Sequence, residues 1–134
     1  LASIDGALET IVADGGSRDA TARVAAEKGA RVVSAPRGRA LQMNTGARQA
    51  RGDVLLFLHA DTRLPAGGIA QVAAAVAAGA RWGRFDVELR PARAALAIVA
   101  AAMNLRSRLT GICTGDQAIF VERALWEDIG GFAP

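Results

Sequence analysis

At 134 residues, half of them hydrophobic, the chain has material for one packed core and not for two. Its net charge of +3 rests on arginine, with Lys28 the sole lysine; the arginines are scattered and aromatic residues are few, which excludes the basic stripe and stacking platform of a nucleic-acid binder. The apolar runs are broken by Gly, Arg or Asn before they reach the roughly 18 residues of a membrane-spanning helix, and the single Cys113 leaves no internal disulfide, so a reducing, cytoplasmic compartment is expected.

In chain order, Leu1–Ile4 reads as the tail of a helix, Asp5-Gly6 as a turn and Glu9–Ala13 as a strand. Ser17 or Asp19 can cap a helix over Arg18–Gly29, which stops at a glycine able to take the left-handed conformation. Arg31–Ser34 is short and β-branched, hence a strand, and Arg39–Ala50 carries helical spacing. Gly52-Asp53 then turns into Val54-Leu55-Leu56-Phe57-Leu58, an apolar run that predicts a fully buried parallel strand. An alanine-rich helix follows over Ile69–Ala78. Arg84–Arg90 alternates apolar and charged residues, the pattern of a strand with one wet face. Ala92–Arg108 predicts a helix, Gln117–Val121 a strand and Glu122–Ile129 a short helix before Gly130-Gly131-Phe132. Strands alternating with helices argue for an α/β fold with a mainly parallel sheet.

Two of these strands end at carboxylates. The first runs into Asp14-Gly15-Gly16-Ser17, and the buried one into His59-Ala60-Asp61-Thr62. In an open α/β sheet ligands bind outside the carboxyl ends of the strands, so Asp14 and Asp61 are expected to face one crevice. Two acidic groups there suit a metal-assisted site for a phosphorylated, nucleotide-linked substrate.

The motifs, in their order, resemble family 2 glycosyltransferases of the GT-A fold. Ile11-Val12-Ala13-Asp14-Gly15-Gly16-Ser17-Arg18-Asp19-Ala20-Thr21 is similar to that family's strand-end D-D-G-S-x-D-G-T element, and Gly38–Ala47, Gly52-Asp53 and His59-Ala60-Asp61 to its A-R-N-x-G, G-D and D-A-D elements. Thr114-Gly115-Asp116-Gln117 and Ile129-Gly130-Gly131-Phe132 complete the series. In detail the chain looks most like a subgroup described as radical-SAM/selenodomain-associated transferases. The resemblance implies a single nucleotide-binding three-layer α/β/α sandwich over residues 1–134, and inverting transfer of a sugar from a nucleotide diphosphate, UDP above all, to an acceptor hydroxyl on a lipid, saccharide or small molecule.

Residue by residue, the resemblance implies that Asp14 accepts a hydrogen bond from the nucleotide base and that Arg39 and Asn44 lie on the nucleotide side. Arg39 would pair with phosphate or base; Asn44 could instead fasten backbone. Asp61 would ligate Mn²⁺ or Mg²⁺ bound to the donor's phosphates. His59 stands where the family has the first aspartate of D-A-D, which makes it a second candidate ligand and a reason to expect altered metal preference. Asp19 and Thr21 match the motif, but capping a helix explains them. Asp116 is the candidate base on the acceptor side; the family's usual base lies in an E-D motif after the G-G-F element, which these residues do not include. That, and the family's opening I-P-x-x-N-E-like strand, sets the expectation that the chain is part of a longer protein, incomplete at both ends. Two rival readings remain, a non-catalytic nucleotide-sugar-binding module and a sugar-phosphate nucleotidyltransferase. Finally, the apolar run Ala94–Val99 with Met103, Leu105, Arg106 and Arg108 suits a core helix, a homodimer face or peripheral contact with an anionic membrane.

Overall fold

The computed structural model describes residues 7, 9–91 and 93–133. The chain is α/β: β1 (Ile11–Asp14), α1 (Thr21–Glu27), β2 (Arg31–Ser34), α2 (Arg39–Gln49), β3 (Val54–Phe57), α3 (Gly68–Ala77), β4 (Trp82–Gly83), α4 (Ala94–Thr110), a 3-10 turn (Gly115–Gln117), β5 (Ile119–Glu122) and α5 (Arg123–Asp128). The predicted helix tail at 1–4 lies outside the described residues.

Among the described residues the strands form two sheets. β1 and β2 pair in parallel, Ile11 opposite Arg31 and Asp14 opposite Ser34, through the short α1 crossover. The other sheet has the order β3-β5-β4 and is antiparallel throughout. The expected parallel pairing is thus present in part, in β1–β2, while β3, expected to be parallel and fully buried, is corrected to an antiparallel strand that alternates buried and half-buried residues. Alternation of strands and helices leaves the direction of a strand open once the intervening chain is long, and here β5 enters between β3 and β4 running against both.

A second correction concerns Arg84–Arg90, where the alternation predicted a strand. The ladder ends at Gly83, and the chain beyond it is held by the Asn104 side chain and one further backbone bond. Asn104 of α4 donates from Nδ2 to the Val87 carbonyl (3.1 Å) and accepts from the Val87 N–H (2.8 Å), so one carboxamide takes the place of a neighbouring strand. The Phe85 N–H donates to the Gln117 carbonyl at 2.7 Å.

Helix α2 braces the two sheets. On one side its Gly46 backbone lies against Ala13 and Ile11, and Gln42 Nε2 donates to the Ala13 carbonyl at 3.0 Å. On the other, Ala47 is buried in a cluster with Leu55, Phe57, Val121 and Trp126, flanked by Met43, Ala50, Leu125 and Phe132. Phe132 meets Phe57 edge to face, ring centroids 4.8 Å apart. The same residue is tied to α2 through its backbone: buried Asn44 donates to the Phe132 carbonyl (2.8 Å) and accepts from its N–H (2.9 Å).

Removing that carboxamide leaves both backbone groups unpaired, so Asn44→Ala is expected to lower stability by about 1–3 kcal/mol in urea unfolding. Arg39→Ala, at the exposed start of the same helix, is expected to change it by less than about 0.5 kcal/mol.

Candidate active site

Beyond Phe57 the chain leaves β3 and turns through His59, Ala60 and Asp61, the Thr62 N–H donating to the His59 carbonyl at 3.0 Å. Opposite runs Thr114–Gln117, just before β5. The β3–β5 register pairs Phe57 with Ile119, and antiparallel pairing carries the residues after one strand toward those before the other. The ligand atoms of His59, Asp61 and Asp116 all lie within 4.8 Å of one another.

Packing holds this group together. His59 is largely enclosed, its side chain 18% exposed, while Asp116 is 47% exposed. With its proton on Nδ1, the imidazole donates to Asp116 Oδ1 at 3.3 Å. The other edge of the ring lies directly on Gly115, where any Cβ would overlap Nε2 and Cε1. Glycine at 115 is therefore a steric condition for this orientation of His59. The turn beneath is anchored by Gln117, fully buried, whose Oε1 accepts from the Thr114 N–H (3.1 Å) and whose Nε2 donates to Asn104 Oδ1 (3.4 Å). Ala118, which leads into β5, takes φ 47°, a left-handed conformation that costs a non-glycine residue about 1–2 kcal/mol.

The donor set fits a cation. Ligands about 2.0–2.4 Å from a common divalent ion stand at most about 4.8 Å apart, and one imidazole with two carboxylates suits Mn²⁺ or another borderline ion as well as Mg²⁺.

Asp14, the last residue of β1, is occupied differently. Ser17 donates to its carboxylate from both N–H (3.1 Å to each oxygen) and hydroxyl, and Gly16 N–H adds a contact at 3.3 Å. These bonds, the Ser17 hydroxyl first, hold its pKa below the ordinary 3.8. Asp14 is not among the residues converging at His59; it ends β1 in the parallel sheet, whereas His59 and Asp61 follow β3 of the other sheet. Arg39 is exposed at the first turn of α2, and Asn44 is committed to Phe132. Asp19 accepts from the Thr21 N–H (2.9 Å) just ahead of α1, whose N-cap is Ala20 with no side-chain cap bond, so the expected cap by Asp19 is replaced by this local turn; hydrogen bonding from the Thr21 hydroxyl first, and then from its N–H, lowers the Asp19 pKa.

Sequence reasoning missed Gly115 and Gln117 as supports of the site. Thr-Gly-Asp-Gln carried a signal only in retrospect: a glycine beside a candidate carboxylate marks close approach by another group.

With this geometry established, the class follows. The chain belongs to glycosyl transferase family 2, whose family model matches residues 1–127. No curated protein and no solved structure gave a match.

Two measurements probe the site locally. Asp14 is expected to titrate below 3.8 by carboxyl-carbon NMR and to return toward that value in Ser17→Ala. Because its folded pKa is depressed, the stability it contributes is present above 3.8 and is lost as pH falls through the lower folded value. Gly115→Ala is expected to move the His59 ring resonances as much as replacing Asp116 does, while leaving those of Trp82 in place.

Proposed function

We propose that the chain is the nucleotide-sugar-binding part of a metal-assisted, inverting glycosyltransferase with a GT-A-like arrangement, acting from a UDP-linked donor on an acceptor hydroxyl. The observation that carries this reading is the convergence of His59, Asp61 and Asp116 from two separate segments, in a chain of glycosyl transferase family 2.

In this reading Asp61 and His59 would hold Mn²⁺ or Mg²⁺, the imidazole through Nδ1, whose proton and bond to Asp116 would give way to the cation because its Nε2 edge lies on Gly115. Asp61 is exposed and free to reach toward solvent-borne phosphates, and His59 is kept in place by Gly115 and Asp116. The bound cation would offset the charge that grows on the departing nucleoside diphosphate. Asp14 takes the hydrogen bond from the base: three donors share its about four lone-pair sites, the Ser17 N–H lying across both oxygens, and settling that N–H on one oxygen frees a site. Arg39, exposed at the start of α2, pairs with phosphate or base. Asn44 serves by holding the Gly130–Phe132 segment against α2.

Asp116, the half-exposed carboxylate beside His59, takes in this reading the part of the base that accepts the proton of the attacking hydroxyl. It also steadies His59. A binding module without turnover is the reading favoured by the histidine in place of the family's first aspartate. Both make the same binding prediction and part at the chemical step.

With UDP and Mn²⁺ together, the melting temperature is expected to rise by more than with either alone. Asp61→Ala is expected to weaken Mn²⁺ binding about tenfold or more, followed by the electron paramagnetic resonance signal of free Mn²⁺. Donor hydrolysis or transfer by the wild type distinguishes the enzyme from the module. Asp116→Asn is expected to lower kcat about 10²- to 10⁴-fold while changing Mn²⁺ affinity less than Asp61→Ala does; an equal loss of affinity would make Asp116 a third ligand.

A further inference from the structure

α4 buries one face and leaves the other bare. Ala100 and Ser107 are buried, and Asn104 holds Val87. On the opposite side stand Ile98, 71% exposed, Leu105, 57%, and Leu109, 76%, followed just past the helix by Ile112, 62%. At 100° per residue Ile98, Leu105 and Leu109 lie within about 20° of one line, with Ala102 between the first two and the last two one turn apart, so the stripe is continuous. Arg106 and Arg108 fall about 80° to either side of it. α4 carries no carboxylate, and residues 84–112 hold five arginines against Asp86 and Glu88. Arg108 and Arg84 both pair with Asp86, whose pKa they lower, and Arg108 stays largely exposed there.

We infer that this face of α4 lies on an anionic lipid bilayer. An apolar stripe flanked by arginines is the cross-section of a helix that rests in the plane of a membrane, apolar side among the acyl chains and guanidinium groups at the lipid phosphates. It does not span: no helix among the described residues is long and apolar enough to cross a membrane. Charge complementarity chooses between occupants. In a twofold pair of α4 helices the stripe would meet its own copy, bringing Arg106 toward the partner copy's arginines with no carboxylate on the helix to answer it, Arg108 being paired with Asp86. A surface of anionic headgroups answers Arg106 and the exposed side of Arg108. The inference stands apart from the reading of the site, but its geometry bears on it. Ile112 is four residues before Asp116, at most about 14 Å along the chain, so a docked α4 holds the His59 cluster close to the headgroup layer.

The test is co-sedimentation of the full chain with vesicles of phosphatidylcholine alone and of phosphatidylcholine mixed with phosphatidylglycerol. Binding is expected to the mixed vesicles, to fall steeply with added salt, and to be absent from the neutral ones. Ile98→Glu with Leu109→Glu is expected to weaken it about tenfold or more, and Arg106→Ala about fivefold, with circular dichroism of both variants unchanged. As a second readout that tolerates any loss of yield, Leu109→Trp is expected to add blue-shifted emission in the presence of mixed vesicles. No sedimentation with anionic vesicles, or a dimer in light scattering that the same glutamates dissolve while vesicles remain unbound, would overturn the inference.

Discussion

The antiparallel pairing of β3 with β5 is the contact on which the candidate site depends. In that ladder Val54 faces Glu122 and Phe57 faces Ile119, so each step forward along one strand is a step back along the other. Continued past the strand ends, the relation sets His59 and Asp61 across from Gln117 and Gly115. Had β5 run parallel to β3, the residues leaving β3 would have faced those leaving β5, near Arg123, and Asp116 would have stood at the opposite end of the sheet. The correction to the strand direction and the existence of the cluster are one fact.

The ladder needs a rigid frame at both ends. At its start Arg123 donates from Nε and Nη2 to the Gly52 carbonyl at 2.9 and 2.7 Å, and its own N–H donates to the Asp53 carbonyl. At the far end buried Gln117 joins the Thr114 turn, Asn104 of α4 and the extended chain at Phe85. α2 closes the frame from outside, with β1 on one side and the Leu55, Phe57, Val121 and Trp126 cluster on the other. None of these polar groups is catalytic, yet each removes a freedom from the segment that carries His59 or Asp116.

The acidic residues divide by what they touch. Asp14 and Asp19 accept hydrogen bonds from neighbours close in sequence, and Asp86 from Arg84 beside it and from Arg108 of α4; their pKa values fall because the charged form is the one those donors hold. Asp61 and Asp116 come from segments more than fifty residues apart and meet around an imidazole. A motif such as Asp14-Gly-Gly-Ser17 builds its own small hydrogen-bonded loop wherever it occurs; a cluster of separate segments exists only in the folded chain. That distinction separates the local readings that can be made from spacing from those that cannot.

The order and type of almost every element were legible in the residues: glycines at 29, 79 and 111 take the left-handed conformation beside the helices they end, and apolar runs became β3 and β5. His59, Asp61 and Asp116 stood out by residue type and by their place after or before strands, and the family could be read from the order of the motifs. Strand direction, the failure of Arg84–Arg90 to form a ladder and the seat of His59 on Gly115 could not be read in the same way. Propensity and periodicity act over a few neighbouring residues, whereas those three outcomes are decided by groups far along the chain, β5 against β3, Asn104 against Val87 and a bare Cα against an imidazole ring.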